Sequence, residues 1–480
     1  MTRDIVFTPA TRLARLIRSR QLSAVEVMKV FIAQVERVNP RVNAIVTFVP
    51  EGALAAARRV DAAIRRGRDP GPLAGLPIAY KDMIATKGIR TTFGSPIHAD
   101  HVPTGDALLV ERLEGAGAIT LGKTNTPEFA AGSQTFNEVF GQTLNPWDLG
   151  KTCGGSSGGA AVAVACGMLP FADGSDLGGS LRNPGNFNNV VGLRPTPGRV
   201  PAWPASDLWA SMAVLGPIAR SVADCAFLFS AMAGPDPRSP IALETPGKVF
   251  ARSLARDFRK VRLAWWPIRN SRLAGSDDMP VDRRVVAVLE RQRKVFESLG
   301  CIVEEAYPDL SGADEAFKAL RALAYVQRYG SLLEEHRARM KDTVVWNIEQ
   351  GMKLSGGALG RALSLRSEVF SRMRSFMERY EFLLLPVNQV PPFPVATPWV
   401  REIEGVKLET YVDWMKTCCH ITTTSHPAIS VPAGFTDDDP PLPVGLQVVG
   451  RYRDDFGVLQ LAHAFEQQTG TAARRPPVVD

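Results

Sequence analysis

The stretch GGSSGGAAVAVACGMLPFADGSDLGGSLRNP, Gly154 to Pro184, places two glycine-clasped serine motifs on either side of a small-residue segment. Glycine loses more backbone entropy on folding than any other residue, so a cluster of it implies geometry or close approach that a side chain would forbid. Three uses fit such a pattern: a phosphate cradle, a packing device or a serine active site. The surrounding sequence decides among them.

Between the motifs, AAVAVACGML reads as a helix, and on both sides helices and strands alternate. Upstream, LAGLPIAYKDMIA reads as a strand entered through proline, and ERLEGAGAITLGKTN as a helix end feeding a short strand. Thr8 before Pro9 predicts an N-cap and first helical position, and Ser23 with Glu26 predicts a capping box ahead of the next apolar-periodic run. Downstream, the proline-rich Ala233 to Gly247 reads as a connection. Beyond it VRLAWW and CIVEEAY read as strands around the helical VDRRVVAVLERQRKVFESLG, and Ala313 to Tyr380 is mostly helical. EFLLLPV, HPAISVPAG and LPVGLQVVGRY supply the late strands. The alternation predicts an α/β protein.

Composition removes several functional classes. Of 480 residues, 45% are hydrophobic and 22% charged, which is ordinary for a globular enzyme and excludes disorder. The net charge of +7 comes from 56 basic and 49 acidic residues interspersed along the chain, so nucleic-acid partners are not expected. The densest basic run, RRGRDP at Arg65 to Pro70, reads as a solvated helix end. No apolar run resembles a membrane span or a signal peptide, and the six cysteines have no zinc-like spacing, so reduced thiols in a cytoplasmic protein are expected.

The phosphate reading has one formal match, GAITLGKT at Gly117 to Thr124. Its context fails, because a P-loop needs a strand before the first glycine and a helix after the lysine, whereas here the strand-like AITL lies inside the motif. HADH, with His98, Asp100 and His101, lacks a third ligand at recognisable spacing and reads as a surface loop; no metal is expected. Cys153, beside the first motif, has no nucleophile signature. A serine site needs a base. A distant Ser-His-Asp triad stays open, although no GxSxG elbow surrounds either serine. A lysine serves equally if burial favours its neutral form, and Lys81 in the apolar PIAYKDMI is otherwise an awkward choice there.

Lys81 in YKDMI, GGSSGG and GSDLGGSLR, at separations of 75 and 24 residues between Lys81, Ser156 and Ser180, resemble the amidase signature family. The resemblance extends through GLPIAYKD, GKTNTPEF, VFGQTLNPW, VVGLRPTPGRVP, HPAISVPAG and PVGLQVVG, and is weakest between about Pro235 and Leu383. It implies a large mixed β-sheet with helices on both faces, forming a single amidase domain over residues 1–480. Within it, N-terminal helices would occupy about 1–65, the signature core 66–235, a more helical variable subdomain 248–382, and returning strands and a helix 383–480.

Carried onto this chain, the resemblance makes Ser180 the nucleophile, Ser156 the bridge and Lys81 the base. It also implies a cis peptide entering Ser156. The backbone N–H groups of Leu177, Gly178, Gly179 and Ser180 would receive the oxyanion, and Ala130, Ala131, Gly132 and Trp209 would contact substrate. Trp203, Phe393 and Trp414 are further candidates for an apolar pocket. Asp176 and Arg182 are expected to brace the loop, and Ser157 to be structural. Cys153 stands where proline or a small residue is usual, and Ser175 where threonine is common. The family's amidotransferase subunits usually carry a serine-rich segment after the GRV motif, where this chain has PAWPASDLWASMAVLGPIAR. A stand-alone amidase without cofactor is therefore expected, acting on a small-molecule amide, ester or carbamate, with a homodimer as the suggested assembly. The alternatives are a non-catalytic amidase-like binding protein and the glutamine-hydrolysing subunit of a tRNA-dependent amidotransferase.

Overall fold

The computed structural model describes residues 5–276 and 278–480. Three strands, β1 (Ile45–Phe48), β2 (Pro77–Lys81) and β3 (Ile119–Thr124), form a small sheet in the order β1-β3-β2, with β2 parallel to β3. The main sheet uses β4 (Phe171–Asp176), β5 (Val191–Arg194), β6 (Val214–Ala219), β7 (Arg262–Trp265), β8 (Ile302–Glu305), β9 (Phe382–Pro386), β10 (Ala428–Phe435) and β11 (Pro443–Gly450). Its order is β8-β7-β9-β11-β10-β5-β6-β4. β8, β7 and β9 run parallel, and the remaining neighbours are antiparallel, so the sheet is mixed.

Strands β9 and β11 are buried at every position, the pattern of strands covered on both faces. A short helix at Arg182–Phe187 and a long one at Asp455–Thr469 both pack on β10 and β11. The helix between the serine motifs, Gly158–Ala165, is buried throughout. Its Gly159 is a packing residue: a Cβ there would lie 2.4 Å from the Asn125 nitrogen and 2.6 Å from the Ala44 oxygen. The small sheet meets the main one where the Lys81 N–H donates to Asp173 Oδ1 of β4 at 3.0 Å. That contact carries the end of β2 to the two serine loops.

Most local expectations match the structure. The capping box of Ser23 and Glu26 is formed, with both hydrogen bonds present. The first helix, Ala10–Arg18, differs, since its N-cap position falls on Pro9 rather than Thr8. The amides of Ala10 and Thr11 donate instead to the Asp224 carboxylate, supplied from a helix more than two hundred residues away. A cap borrowed across the fold leaves no local sequence signal. GAITLGKT forms no phosphate loop: β3 runs through it, and Lys123 is buried with its Nζ donating to the Ile84 carbonyl and to Thr86 Oγ1.

Candidate active site

Lys81 ends β2 with no solvent exposure. Three hydroxyls surround its Nζ: Ser156 Oγ at 2.7 Å, Ser175 Oγ at 3.0 Å and Ser157 Oγ at 3.1 Å. Burial pulls the amine down to about 7 against the opposing pull of Asp173 and Asp176. A neutral amine offers two N–H donors and one lone pair to three neighbours. The Ser157 hydroxyl is directed to the Ser175 carbonyl at 3.4 Å, so Ser157 accepts from Lys81.

The Gly155–Ser156 peptide is cis. Thr135 and Asn183 hold the loop around it: Thr135 Oγ1 donates to the Gly154 carbonyl at 2.9 Å and accepts from Gly158 N–H at 3.1 Å, while Asn183 Nδ2 donates to the Gly155 carbonyl at 3.2 Å. The second motif winds around a carboxylate. Asp176 accepts from Gly179 N–H at 2.9 Å, Leu181 N–H at 3.2 Å, and from Arg182 through Nε at 3.0 Å and Nη2 at 2.9 Å. Arg194 adds a contact at 3.3 Å, and none of the three charged side chains is exposed. Burial alone would raise the Asp176 carboxyl, but the two guanidinium groups hold it well below the usual carboxylate range. Arg182 reaches onward to Gln447 Oε1 at 2.6 Å and Thr422 Oγ1 at 2.9 Å. Gly179 needs its hydrogen side chain twice over, because its φ is +104° and a Cβ would stand 2.7 Å from Cys418 Cβ.

The two loops are tied by Ser157 N–H donating to the Ser180 carbonyl at 3.2 Å. Ser156, Ser175, Leu177 and Ser180 open onto one cavity of about 710 Å³. Its walls are chiefly apolar, with Ile84, Phe93, Phe129, Val200, Trp203 and Leu208 among them, and the helix Ala313–Tyr329 contributes Arg321, Tyr325, Arg328 and Tyr329.

The family model described as Amidase matches residues 26–459. An acylamidase of Rhodococcus erythropolis is 37% identical over 470 residues, spanning 97% of this chain and 96% of the relative. The chain belongs to the amidase signature family. It is a hydrolase of carbon–nitrogen amide bonds. A crystal structure of a bacterial aryl acylamidase of the same family superposes with a TM-score of 0.88 at 29% identity, covering 98% of this chain and 99% of that one. The 6-aminohexanoate cyclic dimer hydrolase, solved with its substrate, gives 0.85 at 26% identity over 99% and 100%. A glutamyl-tRNA(Gln) amidotransferase subunit from Moorella thermoacetica is 35% identical over 497 residues, spanning 98% of this chain and 99% of the relative.

Ser156 and Ser180 of this amidase share one cavity, with Lys81 buried behind Ser156, and the other anticipated residues are placed unevenly. Gly179 N–H is engaged by Asp176, whereas the amides of Leu177, Gly178 and Ser180 have no protein acceptor among the described residues. Ala130 lines the cavity; Ala131 and Gly132 do not, Ala131 being buried with its carbonyl receiving Lys341 Nζ at 3.3 Å. Trp209 is 72% exposed and is not on the cavity wall, although its neighbours Leu208 and Ala210 are. Trp203 lines the cavity. Phe393 and Trp414 form a separate buried aromatic cluster with Phe187.

His98 is a part of the cavity wall instead of a surface loop, beside Phe93. Burial pushes the Cys153 thiol up to about 12, which removes it as a nucleophile at neutral pH. The aromatic and basic residues of the helix Ala313–Tyr329 carry no site signal in the sequence. ALRALAYVQRY reads as an ordinary amphipathic helix, and only its docking shows that this face meets the serines. Among the described residues no helix is long and apolar enough to cross a membrane.

Proposed function

We propose that this amidase cleaves its substrate through an acyl-enzyme on Ser180, with Ser156 as the bridge and Lys81 as the base. The observation that carries the reading is the buried Lys81 amine, drawn down to about 7, at 2.7 Å from Ser156 Oγ. With its two N–H groups given to Ser157 and Ser175, the lone pair of neutral Lys81 faces the Ser156 hydroxyl. Ser156 passes its proton to Lys81 as it takes one from Ser180, and Ser180 Oγ bonds to the substrate carbonyl carbon. The carbonyl electrons move to oxygen, where the free amides of Leu177, Gly178 and Ser180 stabilise the charge. Collapse breaks the carbon–nitrogen bond, and the proton returns through Ser156 to the departing amine. Water then repeats the sequence on the ester and frees Ser180.

The apolar walls support a small to medium amide with an apolar or aromatic body, and the same acyl transfer extends to esters and carbamates. Ala130, on the cavity wall, is the member of the Ala130–Gly132 segment in position to touch substrate. A second reading, hydrolysis of glutamine within an amidotransferase of several chains, draws support from the amidotransferase relatives. It requires partner chains. The purified chain alone is expected to turn over anilides, and glutaminase activity that appears only with co-purifying partners would favour the second reading instead. An irreversible sulfonyl or phosphonyl reagent is expected to add its mass to the peptide containing Ser180 and to be excluded by Ser180→Ala. Unlabelled Ser180 in an enzyme inactivated by the reagent overturns the assignment.

A further inference from the structure

Arg321, on the helix Ala313–Tyr329, is 5% exposed and forms part of the cavity wall. Its Nε donates to Asn347 Oδ1 at 3.1 Å, and its Nη2 to the hydroxyls of Tyr411 at 2.7 Å and Tyr325 at 3.4 Å. Each of these acceptors is neutral. The Tyr411 oxygen also receives Asn347 Nδ2 at 2.6 Å, so the phenol is a filled acceptor. Nη1 has no acceptor among the described residues and is not one of the enclosed polar atoms that lack a partner, so it opens on the cavity. Arg328, two turns further along the helix, lines the cavity as well. The single carboxylate on the wall among the described residues is Asp207, whose Oδ1 already accepts from Trp209 N–H at 2.9 Å.

A guanidinium removed from water beside neutral partners keeps most of its desolvation cost, and an anion that docks on it offsets that cost. The location bears on substrate. Phe317, one turn before Arg321, has its ring 3.0 Å from where a Cβ of Gly178 would stand. Arg321 therefore lies about 6 Å further along the helix axis from the turn that carries Ser180. With Nε and Nη2 committed to Asn347, Tyr325 and Tyr411, the two N–H groups of Nη1 remain for a carboxylate oxygen, and the charge of the guanidinium favours an anion there.

We propose that the cavity takes an amide in which one arm ends in a carboxylate held by Arg321, an inference that rests on acylation at Ser180. The carboxylate can sit on the acyl arm, as in a half-amide of a dicarboxylic acid, or on the amine arm, as in an N-acyl aminobenzoate. Two matched pairs separate these sources: succinanilate against 4-methylpentananilide, and 4-acetamidobenzoate against 4-isopropylacetanilide. In one pair the carboxylate member is expected to have kcat/KM about 30-fold or more above its neutral isostere. Arg321→Gln is expected to remove at least about tenfold of that preference while moving the neutral member less than about threefold, with Arg321→Lys in between.

Calorimetric binding of the same four compounds to Ser180→Ala reads the subsite without turnover, and serves also if Arg321→Gln does not fold. Preference for the neutral member in both pairs, or a carboxylate preference that survives Arg321→Gln, overturns the inference. Turnover of none of the four, with carboxylate-selective binding to Ser180→Ala intact, counts against the acyl-enzyme reading and leaves the subsite standing.

Discussion

Lys81, Ser156 and Ser157 have no solvent exposure, whereas Trp203, Leu208 and Trp209, on a loop at the edge of the same cavity, are 37%, 36% and 72% exposed. The first group is held by hydrogen bonds from several sides and by glycines that admit no side chain. The second lies on a loop whose residues 202–208 and 210 line the cavity while Trp209 between them faces solvent. The acylation proposed at Ser180 needs reacting atoms fixed to fractions of an ångström, and recognition of a substrate body does not. The two regions therefore respond differently to substitution.

The largest effect is expected at Lys81. Lys81→Arg keeps the charge and the length but cannot give up its proton, so kcat/KM is expected to fall on the order of 10³-fold or more at every pH. The relay proposed above requires neutral Lys81 in the unsubstituted enzyme. Activity is expected to be flat above about pH 7 and to fall about tenfold per unit below it, as protonation removes the base. A pH–rate profile with no acid limb between pH 5 and 7 would contradict this. Asp176→Asn acts on the brace of the Ser180 turn. It leaves the buried guanidinium groups of Arg182 and Arg194 without their carboxylate, at an expected cost of about 3–5 kcal/mol in urea unfolding, with Ser180 labelling slowed in parallel. At the other end, Trp209→Ala is expected to change kcat/KM on small anilides less than about twofold and stability by under about 0.5 kcal/mol.

The same contrast separates what could be read in the sequence from what could not. Lys81 was legible because a lysine in PIAYK contradicts its apolar neighbours, and Ser156 and Ser180 because glycine clusters mark unusual backbone. Asp176 and Arg182 were legible as braces, being six residues apart on one turn. The strands and the capping box at Ser23 follow from periodicity and caps within short windows, whereas the run after Val281, which reads as one helix, is two, Arg283–Glu290 and Arg293–Ser298. What escaped depends on contacts across the chain. Asp224 caps a helix that starts at Ala10, and nothing near Thr8 announces it. Arg321 and Tyr325 belong to a helix whose pattern fixes that one face is buried, but not against what. Trp209 was misread because an aromatic near the signature loops suggests a pocket, while the turn carrying it points that ring outward.

The bonds from Arg182 to Thr422 and Gln447 have a consequence for the life of the chain before it is complete. Lys81, Ser156 and Ser180 all emerge from the ribosome within the first 180 residues, yet the turn that presents Ser180 is finished by side chains that arrive some 240 and 265 positions after Arg182. A nascent or C-terminally clipped chain thus holds all three proposed reacting groups but lacks the side chains that finish the turn around Ser180. On the proposed mechanism, hydrolytic competence is therefore expected late, as a property of the finished molecule rather than of its first half.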